Sequence, residues 1–120
     1  MKYLIMIYGN RELWDSYSEE ELKEVIGAQD AFNQEFMQTG ELLGAYGLGD
    51  AEQARTVKVR DGMPVVSDGP YLETKEHMGS FYLLDVESDE RALEIAARMP
   101  FATFRCVEVW PVMHEAGADM

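Results

Sequence analysis

Lys2-Tyr3-Leu4-Ile5-Met6-Ile7-Tyr8, closed by Gly9-Asn10, opens the chain and sets its architecture. A short apolar run rich in strand formers and ended by a turn pair predicts a β-strand. Successive side chains on a strand point to opposite faces. Tyr3, Ile5 and Ile7 therefore share one face, and Leu4, Met6 and Tyr8 share the other. Both faces are apolar, so this strand has to be covered on both sides. Ser80 to Glu87 repeats the pattern, with Phe81 and Leu83 set against Tyr82, Leu84 and Val86.

Between these strands, Ser18 with Glu21 three residues later spells a capping box, flanked by Tyr17 and Leu22 as a hydrophobic staple. Glu19, Glu20 and Glu21 put negative charge at the positive end of the helix dipole. Leu22, Val25, Ile26, Gln29, Phe32 and Phe36 fall at helical spacing, and Gly40 supplies a stop. Gln29 interrupts this stripe and is expected at its solvent border. Glu41 to Gly49 reads as a weak, glycine-studded strand. Arg55 to Arg60 alternates, Asp61-Gly62 supplies a two-residue hairpin turn, and Met63 to Ser67 returns with Pro64, which belongs at an edge. Asp68 to Gly79 is a polar loop or a single helical turn. Ser88 caps a second helix with Ala92, Ile95, Ala96 and Met99 as its stripe and Pro100 at its end. Phe104 to Val112 is the last strand, and the tail from Glu115 is expected to be loose.

The order strand, helix, strand, hairpin, strand, helix, strand predicts an α+β fold. Two right-handed crossovers in one sheet give a ferredoxin-like sandwich with an added hairpin and both helices on one face. The other face, with Leu4, Met6, Tyr8 and Trp110, is then left without a helix. Covering ~800 Å² of apolar surface at ~25 cal/mol per Å² is worth on the order of 20 kcal/mol before association costs. A homodimer packed through the open sheet face is the expected solution.

At 120 residues, with 47% hydrophobic and 28% charged side chains, the chain reads as one globular domain over residues 1–120. Its longest apolar run, Tyr3 to Tyr8, is far short of a membrane span. With no leader-like opening, a cytoplasmic location is expected. Ten basic against 23 acidic residues give a net charge of −13, a field that repels phosphate backbones. No direct nucleic-acid or membrane contact is expected. A single cysteine, Cys106, excludes an intrachain disulfide framework, and two histidines exclude a His-rich metal site. No sequence motif calls for a cofactor.

The densest cluster of functional groups is Asp68-Gly69-Pro70-Tyr71-Leu72-Glu73-Thr74-Lys75-Glu76-His77. Asp68 is the candidate acid/base, with Tyr71, Glu73 and Lys75 as candidate ligand contacts. A carboxylate near a lysine is held ionised, whereas apolar walls push it toward acid/base work. The plainer reading makes Asp68 a turn initiator and Glu73, Lys75 and Glu76 a solvated helical turn. Asp85 and Glu108 lie inside apolar strands, where a carboxylate needs a partner. Arg60, Arg105 or Lys58 could supply it. Alternatively, Glu108 lines a ligand pocket at the dimer interface beside Cys106 and Trp110. Cys106 is otherwise expected as a buried mid-strand residue, and Trp14 and Tyr17 as lids on the core.

Asp68-Gly69-Pro70-Tyr71 with Glu73-Thr74-Lys75-Glu76 resembles the namesake motif of the DGPF-type, YCII-related family, with Tyr71 in place of the usual Phe. Residues 1–8, Arg55 to Gly62, Gly79 to Val86 and Val107 to Val112 are similar to the family's strands, in the right order. The resemblance implies a bacterial protein forming a dimeric α+β barrel. It implies little about activity; the leading reading of the residues is a small organic ligand in an acidic pocket near Asp68, Glu73 and Lys75, with cofactor-independent lyase or isomerase chemistry as the enzymatic option. Relatives use a His-Asp pair, and the first helix here carries no histidine. The alternative implied is a non-catalytic module that regulates or contacts a sigma factor.

Overall fold

The computed structural model describes residues 1–71 and 76–117. Strand β1 (Lys2–Gly9) is followed by a short helix α1 (Arg11–Asp15), the long helix α2 (Glu19–Gln38) and strand β2 (Leu42–Gly47). A 3-10 turn (Ala51–Gln53) leads into strands β3 (Arg55–Arg60) and β4 (Met63–Asp68). Strand β5 (His77–Asp85), helices α3 (Asp89–Ala97) and α4 (Pro100–Phe104) and strand β6 (Glu108–Pro111) complete the chain.

Local chemistry explains most of these boundaries. The Ser18 hydroxyl accepts from the Glu21 amide at 3.1 Å and the Glu21 carboxylate accepts from the Ser18 amide at 3.0 Å, so the capping box starts α2. Ser88 caps α3 in the same manner, through the Arg91 amide at 3.1 Å. In the β3–β4 turn, Asp61 and Gly62 both have positive φ, 53° and 77°. That mirror-image turn matches the twist of the flanking strands, and glycine adopts its second position without steric cost.

Strands β2, β5, β1 and β6 form one antiparallel sheet in that order. Alternation in β1 buries Tyr3, Ile5 and Ile7 and leaves Leu4, Met6 and Tyr8 partly exposed. The buried face joins Tyr82 and Leu84 of β5, Leu42 of β2, Val25, Phe32 and Phe36 of α2, and Ala92, Ile95 and Ala96 of α3 in one core.

The expected ferredoxin-like sandwich with an added hairpin, closing into a dimeric α+β barrel, is corrected here. Among the described residues the chain is a mixed α/β fold with two small open sheets, because β3 and β4 pair there only with each other. Closing a barrel requires the outer strands to find partners. Here β2 and β6 remain edges of the larger sheet, and β3 and β4 are both edges of the smaller.

Three local expectations also fail. Pro100 does not end a helix but begins α4 at its first position, where its missing N–H costs nothing. That helix consumes the start of the expected last strand, so β6 begins only at Glu108 and Cys106 is exposed before it. Asp85 takes the N-terminal amine at 3.1 Å rather than an arginine, and Arg105 pairs instead with Glu76. Gln29, by contrast, is half-buried at the border of the α2 stripe as expected; it donates to Asn33 at 2.9 Å, and its side-chain oxygen is buried without a partner among the described residues. At the start of the tail, Glu115 accepts from Lys2 at 2.6 Å. No described helix is long and apolar enough to cross a membrane.

Candidate functional site

At one end of the larger sheet, β1 finishes, β5 begins and β2 runs out into Leu48 and Gly49. The β1–β5 register shifts between Ile7 and Tyr8, which lets the strand ends diverge. The Leu48 amide donates to the Gly79 carbonyl at 2.8 Å and keeps the β2 exit against β5. Helix α1 sits over this end, capped by the Asn10 side chain, which accepts from the Leu13 amide at 2.7 Å. Gly9 packs closely here: a Cβ on it would come within 3.2 Å of the Trp14 indole, which would have to shift by a few tenths of an ångström. The indole also meets Phe101 edge-on at 5.2 Å, so it is a lid on the core as expected.

The diverging strands, α1 and the 3-10 turn enclose a hollow of about 890 Å³, walled by Trp14 and Tyr82, with Arg11 and Ser80 among its polar groups. A second hollow of about 690 Å³ lies beside it, lined by Tyr8, Ala54, Pro70, Tyr71 and Glu76. Leu48, Gly49, Asp50, Ala51, His77 and Met78 belong to both. Each hollow falls within the ~300–1,000 Å³ typical of ligand pockets.

The rim is acidic with one guanidinium. Arg11 lies 3.8 Å from Asp15 and Asp50 and 3.9 Å from Glu52. Asp50 is positioned by its amide, which donates to Gln53 Oε1 at 2.9 Å. Glu76, on the opposite wall, is ion-paired with Arg105. Burial raises the Tyr8 hydroxyl above the usual tyrosine value, and the neighbouring Glu108 carboxylate pushes it the same way. Burial likewise raises Tyr82, against a hydrogen bond from Ser80. Both phenols therefore stay neutral and act as hydrogen-bonding groups.

Of the five residues singled out from sequence, the three that are described, Asp68, Tyr71 and Glu108, are scattered by the fold. Asp68 is exposed at the end of β4, opposite Arg55, and lines neither hollow. The turn after it does structural work: Gly69 donates to the Ala54 carbonyl at 2.7 Å and accepts from Thr56 Oγ1 at 2.8 Å, tying off the base of the hairpin. Tyr71 stands at the rim of the second hollow, 80% exposed. Glu73 and Lys75 lie outside the described residues. Glu108 is on the open sheet face, paired in register with Met6 and accepting from the Trp110 indole at 3.1 Å. It neighbours Tyr8, which lines the second hollow, but is not itself among the lining residues.

His77, Asp50 and Arg11 are the groups that sequence reasoning did not assign. His77 sat inside the flagged cluster, but nothing local distinguished it from its acidic neighbours. Among the described residues no three His, Cys, Asp or Glu side chains gather as a metal site.

Residues 1–116 match the YCII-related domain. The chain belongs to the YCII-related family. An uncharacterised protein of Rhizobium meliloti (strain 1021) is 31% identical over 96 residues, covering 80% of this chain and 77% of that protein. The match to this YCII-related domain spans both hollows and the hairpin, so it embraces every feature described above.

Proposed function

We propose that the joined hollows bind a small organic molecule, with His77 in their shared wall as the group that exchanges a proton with it. The observation that carries this reading is the junction itself. Aromatic and aliphatic walls surround it, and a few polar side chains converge on it, which is the usual composition of a small-molecule site. Imidazole both accepts and donates protons, so elimination or isomerisation on a small cyclic substrate is the enzymatic form of this proposal. Tyr8 and Tyr82 supply hydrogen bonds, and Tyr71 closes over the rim. Asp68, at the hairpin base, has no part in the chemistry.

Ligand-observed NMR with a set of small cyclic acids, amines and lactones tests the site. Fragments should bind the wild type, weaken with His77→Ala and be lost with Ala51→Trp, which fills the wall common to both hollows. Equal binding to Ala51→Trp, or none to the wild type, overturns the proposal.

A second copy of the chain is the proposed cover for the open sheet face. Leu4, Met6, Phe81 and Leu83 are partly exposed there, and Tyr46 and Trp110 are 52% and 53% exposed. Tyr46 stacks on Phe81 at 5.0 Å, making the patch continuous across strands. Patches of this kind mark association surfaces. Sedimentation of the wild type as a monomer at tens of micromolar would count against it.

A further inference from the structure

We propose that the joined hollows select an organic cation, a small cyclic ammonium, over a carboxylate or an uncharged molecule of the same shape. This inference rests on the small-molecule site proposed above and names the chemical class that the site takes.

Charge is the first reason. The lining of the first hollow holds Glu12, Asp50 and Glu52 against a single cation, Arg11. Counting His77 as neutral, one positive charge against three negative ones leaves a net −2. Asp50 also lines the second hollow, so the excess sits at the junction of the two. Glu76 of the second hollow adds little to it, because Arg105 pairs with that carboxylate. The whole chain carries −13, and a concave surface concentrates such a field.

Arg11 does not reverse this preference. Asp15 and Asp50 lie 3.8 Å from its guanidinium and Glu52 lies 3.9 Å away. An incoming carboxylate would meet three like charges around one guanidinium. Those separations are longer than hydrogen bonds. An ammonium can therefore settle among the carboxylates without breaking a tight ion pair.

The uncharged polar groups point the same way. Gly9, Gly47, Gly49 and Gly79 line the first hollow, so a ligand can approach the main chain closely there. Two main-chain donors of that lining are already spent. The Leu48 amide donates to the Gly79 carbonyl at 2.8 Å, and the Asp50 amide donates to Gln53 Oε1 at 2.9 Å. A carbonyl oxygen has two lone pairs, so Gly79 retains acceptor capacity after its partner is satisfied. An ammonium supplies only donors and suits such a lining; a carboxylate supplies only acceptors and does not. Trp14 and Tyr82 in the wall add aromatic faces, which attract cations and repel anions.

Three molecules with one ring and different head groups read the preference: cyclohexylmethylamine as its ammonium, cyclohexanecarboxylate and cyclohexylmethanol. In ligand-observed NMR near neutral pH, the ammonium should bind the full chain at least about 10-fold more tightly than the other two. Asp50→Asn/Glu52→Gln should weaken the ammonium by about 10-fold, since each exposed charge contributes modestly. Arg11→Gln should tighten it severalfold, an opposite change that partial unfolding cannot imitate. Glu87→Gln/Glu90→Gln removes the same charge beyond the far end of β5, roughly 25 Å from the hollow, and should leave the affinity unchanged. An equal loss in that control would reduce the preference to the general field of an acidic chain and overturn the proposal. If the carboxylate or the alcohol binds as tightly as the ammonium, and Ala51→Trp blocks it, the cation is refuted and the site stands. If none of the three binds the wild type, or all bind Ala51→Trp equally well, the site and its cation are refuted together.

Discussion

Trp14→Ala removes the side chain that joins the core to the hollow, and its cost can be worked from the contacts. A fully buried tryptophan costs about 3–5 kcal/mol on truncation to alanine. Trp14 is only partly buried, with one edge against Phe101 and its ring over Gly9, so roughly half of that, about 2 kcal/mol, is expected. The edge-on pair with Phe101 accounts for about 0.5–1.5 kcal/mol of this total. Trp14→Phe keeps a ring against Phe101 and should cost about 1 kcal/mol. Urea denaturation followed by circular dichroism is the appropriate assay. The midpoint should move while the denaturant slope stays constant, which separates lost packing from a changed unfolded state. Fragment binding in the first hollow should weaken in the same variant. A stability change below about 0.5 kcal/mol, within the range of ordinary surface substitutions, would refute the claim that this indole closes the core.

Two further outcomes follow from the ion pairs and caps. Arg91 donates to both carboxylate oxygens of Glu41, at 2.8 and 2.9 Å, and this chiefly holds the Glu41 carboxyl below the usual glutamate range. A depressed folded-state value stabilises the fold above the unfolded value and is lost as pH falls through the folded one. Glu41→Gln should therefore lower the melting temperature near neutral pH, and its gap from wild type should close between about pH 5 and pH 3 in calorimetry; a gap that widens on acidification would contradict this. Ser18→Ala removes the side-chain cap of α2 and should cost about 1 kcal/mol in urea denaturation, with no effect on fragment binding.

Much of the secondary structure was legible because its causes are local. The period-two pattern of Tyr3 to Tyr8, the reciprocal bonds of Ser18 and Glu21, the Ser88 cap and the Asp61-Gly62 turn each involve residues within a few positions of one another. Local reading failed where one residue type serves two ends of a helix. Pro100 follows a helical stripe and reads as its terminator, yet it equally suits the first turn of α4. The same error carried Cys106 into a strand it does not join.

The site was the least legible part because it is assembled from distant segments. Asp50, Trp14 and His77 come from the exit of β2, from α1 and from the start of β5, and no spacing rule connects them. The Asp68 cluster looked functional by density of charge. Its leading residue faces solvent, and the turn beside it serves to brace a hairpin.

The sequence by itself determined β1, the helices α2 and α3, the β3–β4 hairpin turn and which face of β1 is buried, since periodicity and capping depend only on neighbours along the chain. It also carried the family relationship, through motifs kept in order along nearly its whole length. Only the tertiary structure decided that the hairpin stands apart as a second open sheet and that His77 lies in the wall between two hollows. Both depend on which strands find hydrogen-bonding partners and on how strand ends diverge in space, and those are contacts between residues far apart in the chain.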